Sequence, residues 1–313
     1  MTSPFKKISL VLLACLCYVR VQAQESPVKL NYTVNQNRSV TFDYVKTDPG
    51  NYTVVVKFPT LTNSYATNEQ NATAGNYSGR LLQLEPTDKA QSIGFSYSYT
   101  FIRGKLKPKF DSGFVYLMPC KSGTKVRIQE VGFVGAAYFG NTTPDDWKVY
   151  RFSTLKEDTV TAIRKGIVVE VKDAYDTKLT EGLAFTSQTN TMTIEHADGT
   201  LAVYRHLKKG SFAVKVGQTV YPGTTLALNT QYAAKSMYGA TVMIMYLKSK
   251  DFDAAKGQNI SNSKSLYGFT TPHFFTAEGA DVVLEAQKEY TGASSSDLVK
   301  KEMTKKEQKL IAL

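Results

Sequence analysis

Thr191-Met-Thr-Ile-Glu-His196-Ala-Asp-Gly199-Thr-Leu-Ala-Val-Tyr-Arg-His206-Leu207 is the stretch whose reading decides the fold. Two runs of strand composition flank Ala197-Asp198-Gly199, a turn signal, so the stretch predicts a β-hairpin. Upstream, Lys165-Gly166-Ile-Val-Val-Glu-Val171 reads as a strand entered through a turn. Downstream, Val214-Lys-Val-Gly217 and Val220-Tyr-Pro-Gly223 mark two more turns around short strands. Ala240-Thr-Val-Met-Ile-Met-Tyr-Leu247 has the unbroken apolar character of a buried strand. A β-rich region is therefore expected over residues 147–275, joined to the preceding chain through Gly140-Asn-Thr-Thr-Pro144.

The preceding chain, residues 29–134, is rich in Thr, Tyr, Val, Phe and turn residues. Tyr52-Thr-Val-Val-Val-Lys57, Ile93-Gly-Phe-Ser-Tyr-Ser-Tyr-Thr-Phe-Ile102 and Phe114-Val-Tyr-Leu-Met118 have strand composition. Asp48-Pro49-Gly50 and Lys121-Ser122-Gly123 read as turns. The pattern predicts an all-β sandwich of short antiparallel strands, with the polar, Asn- and Thr-rich residues 62–78 as a long surface loop. After Glu278 the pattern changes, and residues 296–313 predict a short polar helix with Ser296 as its N-cap. Leu298, Met303 and Leu310 are too sparse for an apolar face, so this reads as a peripheral tail. The expected organisation is an all-β chain: a leader over 1–23, a sandwich over 24–140, a second β domain over 141–280 and a polar helical tail over 281–313.

The leader reading rests on Lys6 and Lys7, an apolar stretch over residues 8–18, and Val21-Gln22-Ala23 before a cut. The apolar run is too short to span a membrane, and Arg20 interrupts it. Cleavage after Ala23 and export to the periplasm or cell surface are expected. The rival reading takes Leu12-Leu13-Ala14-Cys15 as a lipobox with a lipid anchor on Cys15. Of three cysteines only Cys120 would remain, unable to form an internal disulfide and expected to be a buried small hydrophobe. The formal charge of +11 falls to +8 when Lys6, Lys7 and Arg20 leave with no acid. That excess suits anionic partners such as cell-wall polymers or lipopolysaccharide, although an ordinary charged surface explains it as well. No compact basic run with interleaved aromatics occurs, so nucleic acid is not an expected partner.

The second region resembles the lysostaphin/LytM-type zinc metalloendopeptidases, which cut peptide cross-links in peptidoglycan. Five pieces carry the resemblance in order. Asp158-Thr-Val-Thr-Ala162 and Gly166-Ile-Val-Val169 resemble the opening strand pair, and Thr193-Ile-Glu-His196-Ala-Asp-Gly199 the "I-x-H-x-x-G" hairpin. Tyr204-Arg-His206-Leu207 is similar to "Y-x-H-L". Val214-Lys-Val-Gly217-Gln-Thr-Val220-Tyr-Pro-Gly223 is similar to "V-x-x-G-x-x-V-x-x-G". The resemblance implies zinc held by a His-x-x-x-Asp motif and by the second histidine of a His-x-His strand, with the remaining histidines assisting catalysis. Three protein ligands and an open position are what zinc needs to activate a water.

At those positions this chain departs from the family. Counting back from Gly166 puts Trp147 and Arg151 at the His-x-x-x-Asp positions. The His-x-His strand aligns on residues 240–247, placing Met243 and Met245 at the histidines, or Val242 and Ile244 if the register slips by one. Only His206 is retained, at a position that assists catalysis without binding zinc. His196 and His206 flank one hairpin about 20 Å apart, too far to share an ion. His196 reads as a polar residue beside a turn, and His273 as a loop or surface residue. Asp145 and Asp146 reach the groove only in a shifted register. Met243 and Met245 share one strand face, as Tyr204 and His206 would share theirs. If those faces met, the set would suit Cu(I), but packing of the methionines into vacated volume is the simpler reading. Tyr204 and Arg205 are expected to line the groove. No resident metal or other cofactor is expected. The chain therefore reads as an exported envelope protein with a degenerate peptidase-like domain, binding peptidoglycan or a cell-wall hydrolase. An active zinc endopeptidase with another ligand set and an adhesion or structural surface protein are the alternatives.

Overall fold

Alternating buried and exposed side chains set the first strands. In β2, for instance, Val40, Phe42 and Tyr44 point inward. The computed structural model describes residues 26–132, 146–176, 189–233, 237–252 and 265–311. The expected leader, with Cys15 and Ala23, and the expected connection at 140–144 lie outside these residues. The first six strands are β1 (Val28–Val34), β2 (Val40–Lys46), β3 (Tyr52–Thr62), β4 (Glu69–Ala74), β5 (Ser78–Leu84) and β6 (Gly94–Arg103). They form two antiparallel three-stranded sheets, β1-β2-β5 and β4-β3-β6. Val28, Phe42, Val54, Val56, Phe58 and Leu84 fill one core between them, with Phe42 and Phe58 edge-to-face at 5.7 Å. The expected sandwich thus forms, but β4 lies inside the segment read as a loop. It is an edge strand in which exposed polar residues alternate with the more buried Gln70, Ala72 and Ala74, so its composition hides a ladder that β3 supplies.

The chain then enters a second body through β7 (Val115–Leu117) and β8 (Lys125–Glu130). It continues with β9 (Tyr150–Thr154), β10 (Thr159–Thr161), β11 (Gly166–Lys172), β12 (Thr191–Glu195) and β13 (Leu201–Arg205). Next come β14 (Thr219–Val220), β15 (Thr225–Leu228), β16 (Thr230–Ala233) and β17 (Met237–Leu247). The last strands are β18 (Tyr267–Phe269), β19 (His273–Thr276), β20 (Gly279–Val283) and β21 (Glu289–Thr291). A ten-stranded sheet runs β14-β11-β12-β13-β17-β9-β8-β21, with β16 and β18 also paired to β17. Its inner face, including Phe152, Met192, Ala202 and Ile244, packs on Tyr116, Val160, Leu226 and Phe274 from a second layer. The quoted hairpin forms as β12 and β13, and Gly199 takes the left-handed φ of +89° its turn requires.

The expected seams at 140/141 and 280/281 are not where the pairing changes. β7 pairs with β19 and β8 with β9, while β20 and β21 return to β19 and β8. The composition of β7, β8, β20 and β21 does not say which body each joins; their pairing does. The tail also differs from expectation. Two short helices, α1 (Ser296–Lys300) and α2 (Lys305–Ile311), replace one, and Ser295 rather than Ser296 stands at the N-cap, without a side-chain cap bond. Charge holds the tail in place instead of an apolar stripe. Arg164, 5% exposed, bonds Asp198 at 2.6 Å and takes Glu302 with two nitrogens at 2.6 and 2.9 Å. Lys165 reaches Glu307 at 2.9 Å.

The sandwich docks on the outer face of the large sheet through the turn at residues 48–51. Gly50 has φ +82°, and a Cβ there would fall 2.5 Å from both Glu195 Oε2 and Val169 Cγ1. The Asn51 amide donates to Glu195 Oε2 at 2.8 Å and its side-chain NH2 to Glu195 Oε1. Burial pushes the Glu195 carboxyl up, while Asn51, Arg103 and Lys46 oppose that. Asn51→Ala is expected to lower stability by about 1–3 kcal/mol, because it leaves a buried carboxylate oxygen short of a donor. Urea denaturation checks this; a wild-type midpoint in the variant would show that the contact does not couple the two bodies.

Candidate functional site

Strand pairing builds one row across the outer face of the sheet: Thr191, Arg205, Thr241, Arg151 and Gln129, on β12, β13, β17, β9 and β8. Directly opposed residues share a face, and their sequence neighbours take the other. Those neighbours, Tyr204, Val242 and Tyr150, are buried in the core, so the row looks outward and is half-buried apart from the buried Thr241.

His206 joins this row from the end of β13. Its φ of +62° takes it out of the strand alternation and turns the ring onto the outer face. Its amide donates to Thr189 Oγ1 at 3.0 Å, and Nδ1 lies 3.0 Å from Thr241 Oγ1. Burial, then the charges of Arg151 and Arg205, push its pKa down to about 4, so the imidazole is neutral at pH 7. The Arg151 guanidinium lies over the Tyr232 ring at 4.4 Å, and its buried Nε has no hydrogen-bond partner. Burial pushes both Arg151 and Arg205 down, and neither finds a carboxylate among the described residues.

Arg151, Arg205 and His206 are thus brought together, with Met243 next along β17 opposite Val203. Met245 lies farther on, between Leu201 and Phe269. The Trp147 ring packs on Phe269 at 4.7 Å and donates Nε1 to Val131 O at 2.8 Å. Its partners Phe269 and Val131 are not members of the row that holds Arg151. Tyr204 does not line the groove. It is fully buried on the core side, its hydroxyl accepting from the Ile163 amide at 3.0 Å. The expectation that Tyr204 and His206 share a face fails because the left-handed residue breaks the period of two. The one-residue slip is also excluded, since Val242 and Ile244 face the core. Thr241 is the site residue that sequence reading missed. It has the same strand parity as Met243, so a shift of two residues puts Thr241 and Met243 at the expected histidine positions.

The remaining candidates are engaged elsewhere. His196 stands beside the hairpin turn as expected and is buried there, 2% exposed, with Nδ1 2.9 Å from Thr200 Oγ1. Burial and Arg164 push its pKa down. His273 is on β19, with Nδ1 2.5 Å from Asp281 Oδ1. Asp146 takes Lys248 and the Phe269 amide, and Asp145 lies outside the described residues. Burial pushes the Cys120 thiol up to about 12, so it carries almost no thiolate. A cavity of about 360 Å3 includes Lys57, Glu69, Lys248 and Lys250 in its lining. Those charges are mutually satisfied, Glu69 by both Lys57 and Lys250, and Lys248 by Asp146.

The groove residues do not suit zinc. Guanidinium offers only donors, a thioether and a neutral hydroxyl are poor ligands for it, and one imidazole is too few. Among the described residues no three His, Cys, Asp or Glu side chains converge. Fold and groove together define a metallopeptidase-like β domain. Residues 146–239 match the model of Peptidase family M23, so that stretch is an M23-type domain. No curated protein matches the chain in sequence. Among solved structures the chain is similar to the SpoIIQ–SpoIIIAH pore-forming complex, at 16% identity over 42% of this chain and 84% of that chain, TM-score 0.27. It is also similar to pseudoalterin, an M23 metalloprotease from the deep sea, at 15% over 50% and 90%, TM-score 0.29. A zinc-containing peptidase from Vibrio cholerae gives 14% over 69% and 75%, TM-score 0.25.

Proposed function

We propose that the chain is an exported cell-envelope protein whose M23-type domain binds or regulates in peptidoglycan remodelling without hydrolysing it. The observation that carries this is the placing of Arg151 and Arg205 on either side of Thr241, beside His206. A hydrolytic zinc site needs three ligands and an open position for water. Here two fixed positive charges stand where a cation would have to enter, and they repel it. His206, neutral and tied to Thr241, keeps an assisting position without a metal to assist. The proposed partners are peptidoglycan or a cell-wall hydrolase, not nucleic acid, and no resident cofactor is required. Cleavage after Ala23 and a periplasmic or surface location belong to the same proposal, supported by the leader composition.

The test uses the mature full-length protein. Its zinc content is expected to stay far below one per chain, and purified peptidoglycan to release no peptides on incubation. A cell-wall hydrolase captured by the protein is expected to gain activity. One zinc per chain together with chelator-sensitive peptide release would overturn the proposal. Binding to wall polymer or host glycans with no effect on any hydrolase would replace it with an adhesion role.

A further inference from the structure

Arg205 and Arg151 lie on strands either side of β17 in the same row. At about 4.8 Å per strand their Cα atoms are roughly 10 Å apart, with the Thr241 hydroxyl between them. The adjoining rows on the same face bring Val203 and Met243 on one side, and Gly239 and Ser153 on the other. None of these can neutralise a guanidinium. Arg151 is braced by Tyr232, whose hydroxyl is 2.9 Å from Ser153 Oγ, and its buried Nε has no acceptor. Two other arginines largely shielded from solvent are paired with carboxylates: Arg103 with Asp48, and Arg164 with Asp198 and Glu302. Half-buried guanidiniums without a carboxylate among the described residues cost free energy that an oxyanion placed between them would remove.

We propose that Arg151, Arg205, Thr241 and His206 form a binding site for the terminal carboxylate of a peptide. The inference rests on the reading of the groove as non-hydrolytic and names its ligand. A planar carboxylate matches the guanidinium fork, which a point charge would not exploit. Thr241 Oγ1 and the His206 imidazole, 3.0 Å apart, add polar groups between the two arginines. Met243 and Val203, half-buried on the next row, provide an apolar surface for the last side chain of the peptide. Arg151, at a position aligned with one of the family's cation ligands, thereby serves an anion.

Calorimetric titration of the mature full chain with acetyl-alanyl-alanine, with its C-terminal amide and with inorganic phosphate tests the assignment. The free acid is expected to bind and the amide to bind at least tenfold more weakly. R205Q and R151Q are each expected to weaken the acid at least tenfold. R205K keeps the charge and loses the fork, and is expected to weaken it too; T241V is a gentler variant if the arginine changes impair folding. Equal binding of acid and amide overturns the proposal, as does wild-type affinity in T241V and R205K together. Phosphate binding without dipeptide binding overturns the peptide assignment. Zinc measured on the same sample separates the two readings: stoichiometric zinc defeats the non-hydrolytic groove, whereas a zinc-free protein that ignores the dipeptide defeats only this inference.

Discussion

Arg164→Ala is expected to lower folding stability by about 3 kcal/mol or more, the largest effect of any single change considered for this chain. Arg164 is 5% exposed and holds two carboxylates, Asp198 at 2.6 Å and Glu302 through two nitrogens. Its guanidinium also lies 3.8 Å from the Phe114 ring centroid. Burial pushes the Asp198 carboxyl up, but Thr200 and Arg164 together hold it below the usual carboxylate range. Without Arg164, two partly buried negative charges face each other with no cation between. The helical tail loses its anchor at the same time. Denaturation midpoints and limited proteolysis beyond residue 295 measure both consequences. Lys165→Ala serves as the control: it leaves Glu307 bonded to the Tyr221 hydroxyl and the Thr304 amide, so its cost should be clearly smaller than that of Arg164→Ala. Equal losses in the two variants would show that Arg164 is no more than a surface ion pair.

Stability is expected to fall as pH drops from about 6.5 toward 4, before most carboxylates titrate. Both His196 and His206 have pKa values below the ordinary 6.5, first through burial and then through neighbouring arginines, Arg164 for His196 and Arg151 and Arg205 for His206. A lowered folded value means that the unfolded chain takes up the proton first. The stability these rings contribute is present above pH 6.5 and is lost as pH falls through the window. For His206, at about 4, the full loss is of order 3 kcal/mol. The steepest slope with both rings is about 2.7 kcal/mol per pH unit. Glu307, held near 2 by Lys165 and Thr304, loses its contribution only below the ordinary carboxylate value. Urea unfolding at pH 7, 6, 5 and 4 should show the slope, and His206→Gln should remove about half of it. A flat profile above pH 5 would mean that His206 is solvated and protonates freely in the folded chain.

The hairpin, its turn and the strands around residues 166 and 240 were legible because their signals are local. Alternation, β-branching and a glycine at the turn all sit within a dozen residues. What was not legible depends on which strand lies beside which. β4 carries only Ala72 and Ala74 as apolar side chains, too little to signal a strand, and it forms its ladder with β3. The boundaries near 140 and 280 dissolve because β8 and β21 pair across them. Within the site, Arg151 and His206 were visible at family positions and Arg205 as a residue expected to line the groove. Thr241 was not, since only the register of β17 against β13 and β9 sets it between the two arginines. Tyr204 was misplaced by a single backbone angle at His206.

The order β9-β8-β21 at one end of the large sheet also bears on how the protein is made. A chain emerging from its N-terminus can close the sandwich once residue 103 is free, because all six of its strands are then available. The second body has no such early finish: β8 waits for β9, and its outer edge stays open until β21 follows. Through most of synthesis the growing sheet therefore presents an unfinished border, a place where a stray strand could add. The stretch that matches the family model, residues 146–239, does not contain the strands at one end of the sheet it belongs to. The strands that seal its border are written before and after it.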